Sequence, residues 1–259
     1  MKAKIIVAAH KEFPMPADAN LYLPILVGAE KNYRDGMKYQ RDDVGENISG
    51  KNGNYSELTA VYWAWKNLKD VDVIGLVHYR RYLYLHPSAS LEDVLTTDQL
   101  SSLLKKSEVI VPRKRRYYIE TNYSHYVHAH HQAPLDATRE AIKKLFPSYL
   151  SSFDEVMSRR SAHMFNMFVM SRVRFDSYAS FLFGILQEVE KHVSLEGYSQ
   201  QELRVFGYIS ELLMDVWINA NEINYTEVPW GQIGPNHTFL KALNFLKRKI
   251  GLGSRVTHF

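Results

Sequence analysis

The sequence predicts an α/β fold with a mostly parallel, twisted sheet flanked by helices. Two observations carry this. Short, mostly apolar runs recur at 3–9, 73–79, 108–112 and 163–171, the signature of strands buried on both faces. Between them lie longer segments with apolar residues every three or four positions, so strands and helices alternate along the chain.

In order, AKIIVAA (3–9) reads as the first buried strand, closed by polar residues from His10. Residues 10–54 are rich in Pro and Gly and read as a long loop region, which in a compact domain usually serves function. Residues 55–68 read as a helix, because Leu58, Val61, Tyr62, Trp65 and Leu68 share one face. Asn54 or Ser56 suits its cap, and Glu57 its first turn. VIGLVHY (73–79) is the second strand, 97–106 a helix and EVIVP (108–112) the third strand. A segment dense in Tyr and His follows at 118–133, then helices at 134–145 and 151–159. Residues 163–171 read as a strand, 175–191 and 199–214 as helices, and 215–228 as holding a closing strand. Residues 236–250 form a basic amphipathic pattern that Gly251 and Gly253 stop. The division expected is one domain over 1–235 and a basic helix and tail over 236–259.

Composition narrows the chemistry. The 259 residues are 46% hydrophobic and 23% charged, ordinary for a globular domain. With no cysteine, disulfides, thiolate metal sites and a Cys nucleophile are excluded. The net charge of +4 is mild and concentrates at Arg113–Arg116 and Lys241–Arg255, so nucleic acid is not the expected partner. The apolar start is too short for a signal peptide, and no run reaches the roughly 18 residues a membrane span needs.

In parallel sheets, ligands bind beyond the carboxyl ends of strands. His78, Tyr79, Arg80, Arg81 and Tyr82 follow directly on such an end. A guanidinium is always charged and meets phosphate oxygens two at a time, so Arg80 and Arg81 are candidates for a diphosphate. The small polar residues from Asp42 to Thr59 feed a helix start, a pattern that suits an anion or a capped loop. His125, His128, His130 and His131 cluster, yet nothing resembles a zinc-enzyme motif, and no metal ligand is assigned. Asp70-Val71-Asp72 matches Asp-x-Asp literally, but it precedes the second strand, so it reads as a turn at the opposite edge.

Asn47-Ile48-Ser49, Lys51-Asn52, Glu57-Leu58-Thr59, Tyr62-Trp63-Ala64-Trp65-Lys66-Asn67 and Gly75 to Tyr82 together resemble one family. Tyr126 with His130, Asn166-Met167-Phe168 and Arg204 to Glu211 extend the likeness over about residues 3–220. It is a bacterial capsular and exopolysaccharide biosynthesis family, long labelled a domain of unknown function, with some galactofuranosyltransferases among its members. The resemblance implies a GT-A-like fold, a UDP-sugar donor, a lipid-linked glycan acceptor and a cytoplasmic location. Donor contacts then fall on His10, Asn47, Ser49, Lys51, Asn52, His78, Tyr79, Arg80 and Arg81. Acceptor or sugar contacts fall on Trp63, His130, Asn166 and Arg204. An inverting transferase needs a carboxylate to take the acceptor's proton. Glu211 leads, with Glu57 beside it and Asp43 and Glu202 behind. Arginines in place of Asp-x-Asp imply no tightly bound metal. The basic segment at the carboxyl end suggests peripheral contact with an anionic membrane surface, or a helix packed on the domain itself. A nucleotidyltransferase and a non-catalytic glycan- or anion-binding module stay open as alternatives.

Overall fold

The computed structural model describes residues 1–234, so the basic segment at 236–259 and its boundary lie outside the described residues. The strands are β1 Ala3–Ala9, β2 Tyr22–Leu26, β3 Gln40–Arg41, β4 Val73–His78, β5 Arg81–Leu83, β6 Val109–Pro112, β7 Arg115–Arg116, β8 Ser161–Ala162, β9 Phe168–Ser171, β10 Tyr225–Val228 and β11 Trp230–Gln232. The helices are α1 Ala29–Asn32, α2 Asn52–Tyr55, α3 Leu58–Asn67, α4 Thr97–Leu104, α5 Asn122–Ala129, α6 Gln132–Leu145, α7 Leu150–Ser158, α8 Arg172–Glu190 and α9 Val205–Ala220.

The main sheet runs β10-β6-β9-β4-β1-β2-β3. Its neighbours are parallel except where β9 runs against β4 and β6. β5 folds back antiparallel from the end of β4, and β11 pairs with it. Successive side chains of a strand point to opposite faces, and both faces here are buried. Ile6, Ala8, Ile74, Leu76, Phe168 and Met170 enter one core, roofed by α3, α6, α7, α8 and α9. Ile5, Val7, Val73, Val77, Ile110 and Val169 enter the second, under Tyr22, Tyr82, Tyr84 and Leu100 of α4. That is why these strands read as continuous apolar runs rather than alternating ones.

The sheet and its helices are therefore the expected mostly parallel α/β architecture, with local differences. The helix expected at 55–68 is two helices, broken at Ser56, whose φ of 52° is not helical. Asn52 Nδ2 bonds the Ser56 carbonyl at 2.7 Å and holds the break. The strand expected at 163–171 begins only at Phe168, because Phe165 and Asn166 both take positive φ, 73° and 55°. Residues 10–54 hold β2, whose Pro24 hid it. A proline lacks the ladder's N–H and argues against a strand, but β3 pairs with Ile25 and Leu26 alone, so Pro24 lies beyond that ladder. The helix expected at 199–214 starts at Val205, after a turn in which Glu202 accepts bonds from the Ser199 amide and hydroxyl. No helix among the described residues is long and apolar enough to cross a membrane.

Candidate active site

A cleft opens beyond the carboxyl end of β4. Its floor comes from three places in the chain. β4 delivers His78, the β5 return delivers Arg81, and Glu57 sits at the start of α3. Arg204, the residue that caps α9, and Tyr208 and Glu211 on one face of that helix enter the cleft together. The far wall is α5 with His125 and Tyr126, then His130, and β7 with Arg115 and Tyr117 beside it.

The turn at Phe165–Asn166 joins these parts. His78 Nε2 donates to the Phe165 carbonyl at 2.6 Å, which fixes its tautomer. Burial pushes the His78 pKa down, against the pull of Glu57, so the ring stays neutral. The Phe165 amide bonds Glu211, and its ring lies 4.5 Å beneath the Arg81 guanidinium. Asn166 Nδ2 donates to Glu57 at 2.6 Å, while its Oδ1 accepts from Ser210 at 2.9 Å. Two successive non-glycine residues at positive φ cost backbone energy, and such strain gathers at functional sites.

The two carboxylates have unlike environments. Burial, and then the charge of Glu57, lifts the Glu211 pKa to about 8, although the Phe165 amide, Arg81 and Arg204 work against the rise. At neutral pH Glu211 thus holds a proton. It becomes a stronger base than an exposed carboxylate once that proton leaves. Arg81 is itself half-buried, and burial lowers its pKa while Glu211 and Glu57 raise it. Its Nε is buried without a hydrogen-bond partner. Arg204 donates from Nε to Ser56 Oγ at 3.0 Å and leans over Tyr208. Apart from Arg115, the far wall is aromatic. His125 stacks on Tyr117 with centroids 4.0 Å apart, and His130 on Tyr208 at 4.1 Å. Burial first, then His125 and His131, pushes the His130 pKa down to about 4. Stacked flat rings of this kind suit the apolar face of a sugar, and neutral imidazoles suit its hydroxyls.

Seven expected site residues converge here: Glu57, His78, Arg81, His130, Arg204 and Glu211 on the cleft, and Asn166 buried behind Glu57. The others are engaged elsewhere. Arg80 bonds the Ile233 carbonyl from Nε at 3.3 Å. Tyr79 stacks on Phe13 at 3.9 Å with His10 edge-on, a small aromatic group where β1 and β4 end. Asn47 bonds the carbonyls of Asp43 and Gly45. Ser49 bonds the buried Asp42, Lys51 pairs with Glu190 at 2.7 Å, and Asn52 holds Ser56. The buried Asp42 carboxylate takes the Gly28 and Ala29 amides at 2.8 and 2.9 Å, so this loop supplies its own anion. Trp63 is buried, with its indole on the Val44 carbonyl. Asp43 is clamped by Arg41, and Glu202 by Ser199 and His131. Asp72 caps the Lys2 amide at the opposite end of β4. Of the clustered histidines, His125 and His128 share Glu120 and His131 turns to Glu202. No group of three or more potential ligands is placed to hold a metal among the described residues. Arg115, Tyr117, Phe165 and Tyr208 were not singled out from sequence. Two lay in segments the sequence marked, Arg115 in the basic run Arg113–Arg116 and Tyr208 in the Arg204–Glu211 motif.

Comparison with known proteins places the fold. The profile of a family described as a domain of unknown function, DUF4422, matches residues 4–222. Among solved structures, the apo form of WbbM, a bifunctional glycosyltransferase, superposes with a TM-score of 0.81 at 28% identity. The likeness covers 91% of this chain and 46% of that one, so this chain spans about half its length. No curated protein matches the sequence.

Proposed function

This chain belongs to the DUF4422 family, and on that premise we propose that it is a glycosyltransferase working from a UDP-sugar. The acceptor is a lipid-linked glycan at an anionic membrane surface, in capsular or exopolysaccharide synthesis, and the sugar is a hexose such as galactofuranose. The observation that carries the reading is the pairing of Glu211 and Glu57 against Arg81 and Arg204 beyond the end of β4, on a fold shared with part of a glycosyltransferase.

The chemistry follows from the side chains. Arg81, half-buried with an unpartnered Nε, and Arg204 supply fixed positive charge for the diphosphate, whose charge grows as the glycosidic bond breaks. The acceptor hydroxyl oxygen bonds the anomeric carbon, UDP leaves with the electron pair of the old bond, and the hydroxyl proton passes to ionised Glu211. Glu57, held by Asn166, keeps that carboxylate basic through its charge. The aromatic wall with His130 receives the acceptor sugar. The arginines take the electrostatic role a divalent ion fills in other transferases, so turnover is expected in excess chelator.

A panel of UDP-sugars, followed by UDP release and by melting temperature with and without chelator, tests this. One UDP-sugar should raise the melting temperature and be turned over in chelator. A protein that binds a UDP-sugar without releasing UDP to any glycan or water is a binding module. Turnover that stops in chelator and returns with magnesium or manganese removes the metal-independent mechanism.

A further inference from the structure

The wall of the cleft has an outer side that the transfer reaction does not use. Residues 113–119 read Arg-Lys-Arg-Arg-Tyr-Tyr-Ile. β7 pairs with β8 in a two-stranded ribbon apart from the main sheet, with Arg116 opposite Ser161. Side chains alternate along a strand. Arg115 and Tyr117 line the cleft, so Arg116 and Tyr118 face outward. Tyr118 is 89% exposed and Ile119 77%, the two most exposed large apolar side chains of this segment, and Tyr123 on the first turn of α5 adds 37%. Arg113 and Arg116 are exposed beside them, whereas Lys114 is engaged with the Tyr225 hydroxyl at 2.9 Å. From Arg113 to His131 the one acid is Glu120, and its carboxylate is bonded to His125 and His128.

We propose that this outer face, Arg113, Arg116, Tyr118 and Ile119, docks the protein on an anionic lipid surface. An exposed Tyr-Ile pair between arginines suits the boundary of headgroups and acyl chains. The ring and the aliphatic chain enter it while the guanidiniums meet lipid phosphates. The same strand presents Arg115 and Tyr117 to the cleft on its other side, so docking brings the cleft wall to the surface. The reason for docking rests on the glycosyl-transfer reading, through its lipid-linked acceptor. The docking itself does not.

The chain has no cysteine, so a single introduced thiol is a unique label. In the full chain, Ile119→Cys carrying an environment-sensitive fluorophore is mixed with phosphatidylglycerol-containing vesicles and with neutral phosphatidylcholine vesicles. The control is Val173→Cys, 77% exposed beyond the Ser171 end of β9, which pairs with the start of β4 at the opposite edge of the sheet. Emission from position 119 should shift to the blue with anionic vesicles alone, and position 173 should not respond. Arg113→Gln and Arg116→Gln should each weaken vesicle binding about fivefold at low salt. A silent probe at 119 while the protein sediments with vesicles would show another surface at work, and no sedimentation at all would remove membrane docking. Either overturns the proposal. Tyr118→Ser/Ile119→Ser should release UDP from a soluble UDP-sugar as the parent does, so failure of transfer and failure of docking are read separately.

Discussion

At the scale of single residues, Glu211 decides most. If it is the base, activity should rise with pH as its proton leaves and level off above about 8, the value its burial and Glu57 set. The charge of Glu57 contributes to that raised value, so Glu57→Gln should move the rise to lower pH. Glu211→Gln should slow the chemical step by roughly 10²–10⁴ with UDP-sugar binding nearly kept, and a wild-type rate would end the assignment. Stability moves the other way. The folded pKa lies above the ordinary 4.5, so the folded state keeps a proton that the unfolded chain loses between pH 4.5 and about 8. Wild type should therefore lose stability against Glu211→Gln as pH rises through that window, by about 2–5 kcal/mol once above it. Equal denaturation midpoints at pH 5 and pH 9 for the pair would contradict the raised pKa. Behind it, Asn166→Ala removes the donor to Glu57 and places a Cβ-branchless but still chiral residue at a φ of 55°. A loss of about 1–3 kcal/mol is expected in denaturant, as for a buried group left unpaired.

At the scale of elements, β4 is a strand where sequence and structure agree closely and where added volume has little room. Gly75 faces β9 so closely that an added Cβ would lie 2.8 Å from Val169 Cγ2 and 2.9 Å from the Phe168 carbonyl oxygen. Gly75→Ala must push two strands apart, and a loss of about 1–3 kcal/mol is expected in equilibrium unfolding, with weaker donor binding because His78 ends the same strand. β1 and β4 were legible because both faces are buried and their centres, Ile5–Ala9 and Val73–Val77, hold no polar side chain. α8 was nearly so, and only its start, capped by Ser171, came earlier than its periodicity suggested. α5 was not, because Asn-Tyr-Ser-His-Tyr-Val-His-Ala has little apolar period. Its polar face lines the cleft instead of a core. The site divided in the same way. Arg81 could be placed from the end of its strand. That Arg80 turns away could not, since β5 and β11 form through pairing of residues about 150 positions apart. The loop at 47–52 looked like an anion site because it has that chemistry, and Asp42 already satisfies it.

At the scale of the whole molecule, the cleft gathers side chains from distant parts of the described sequence, from Glu57 to Leu212, so ligand and fold are thermodynamically linked. A UDP-sugar at 100 times its dissociation constant should stabilise the protein by about 2.7 kcal/mol, visible as a higher melting temperature. Arg81→Ala should remove most of that shift, through a loss of roughly 1.5–3 kcal/mol of charged hydrogen bonding, while melting without ligand changes little. An unchanged shift would take Arg81 out of the donor site. The resident proton on Glu211 has one more consequence, in the heat of binding. A basic iminosugar lodged beside the two carboxylates would favour their ionised form and expel that proton to the buffer. Its calorimetric enthalpy would then vary with the ionisation enthalpy of the buffer near pH 7, whereas that of an uncharged sugar of the same shape would not. Such a difference marks cationic sugar mimics as the inhibitors this cleft selects.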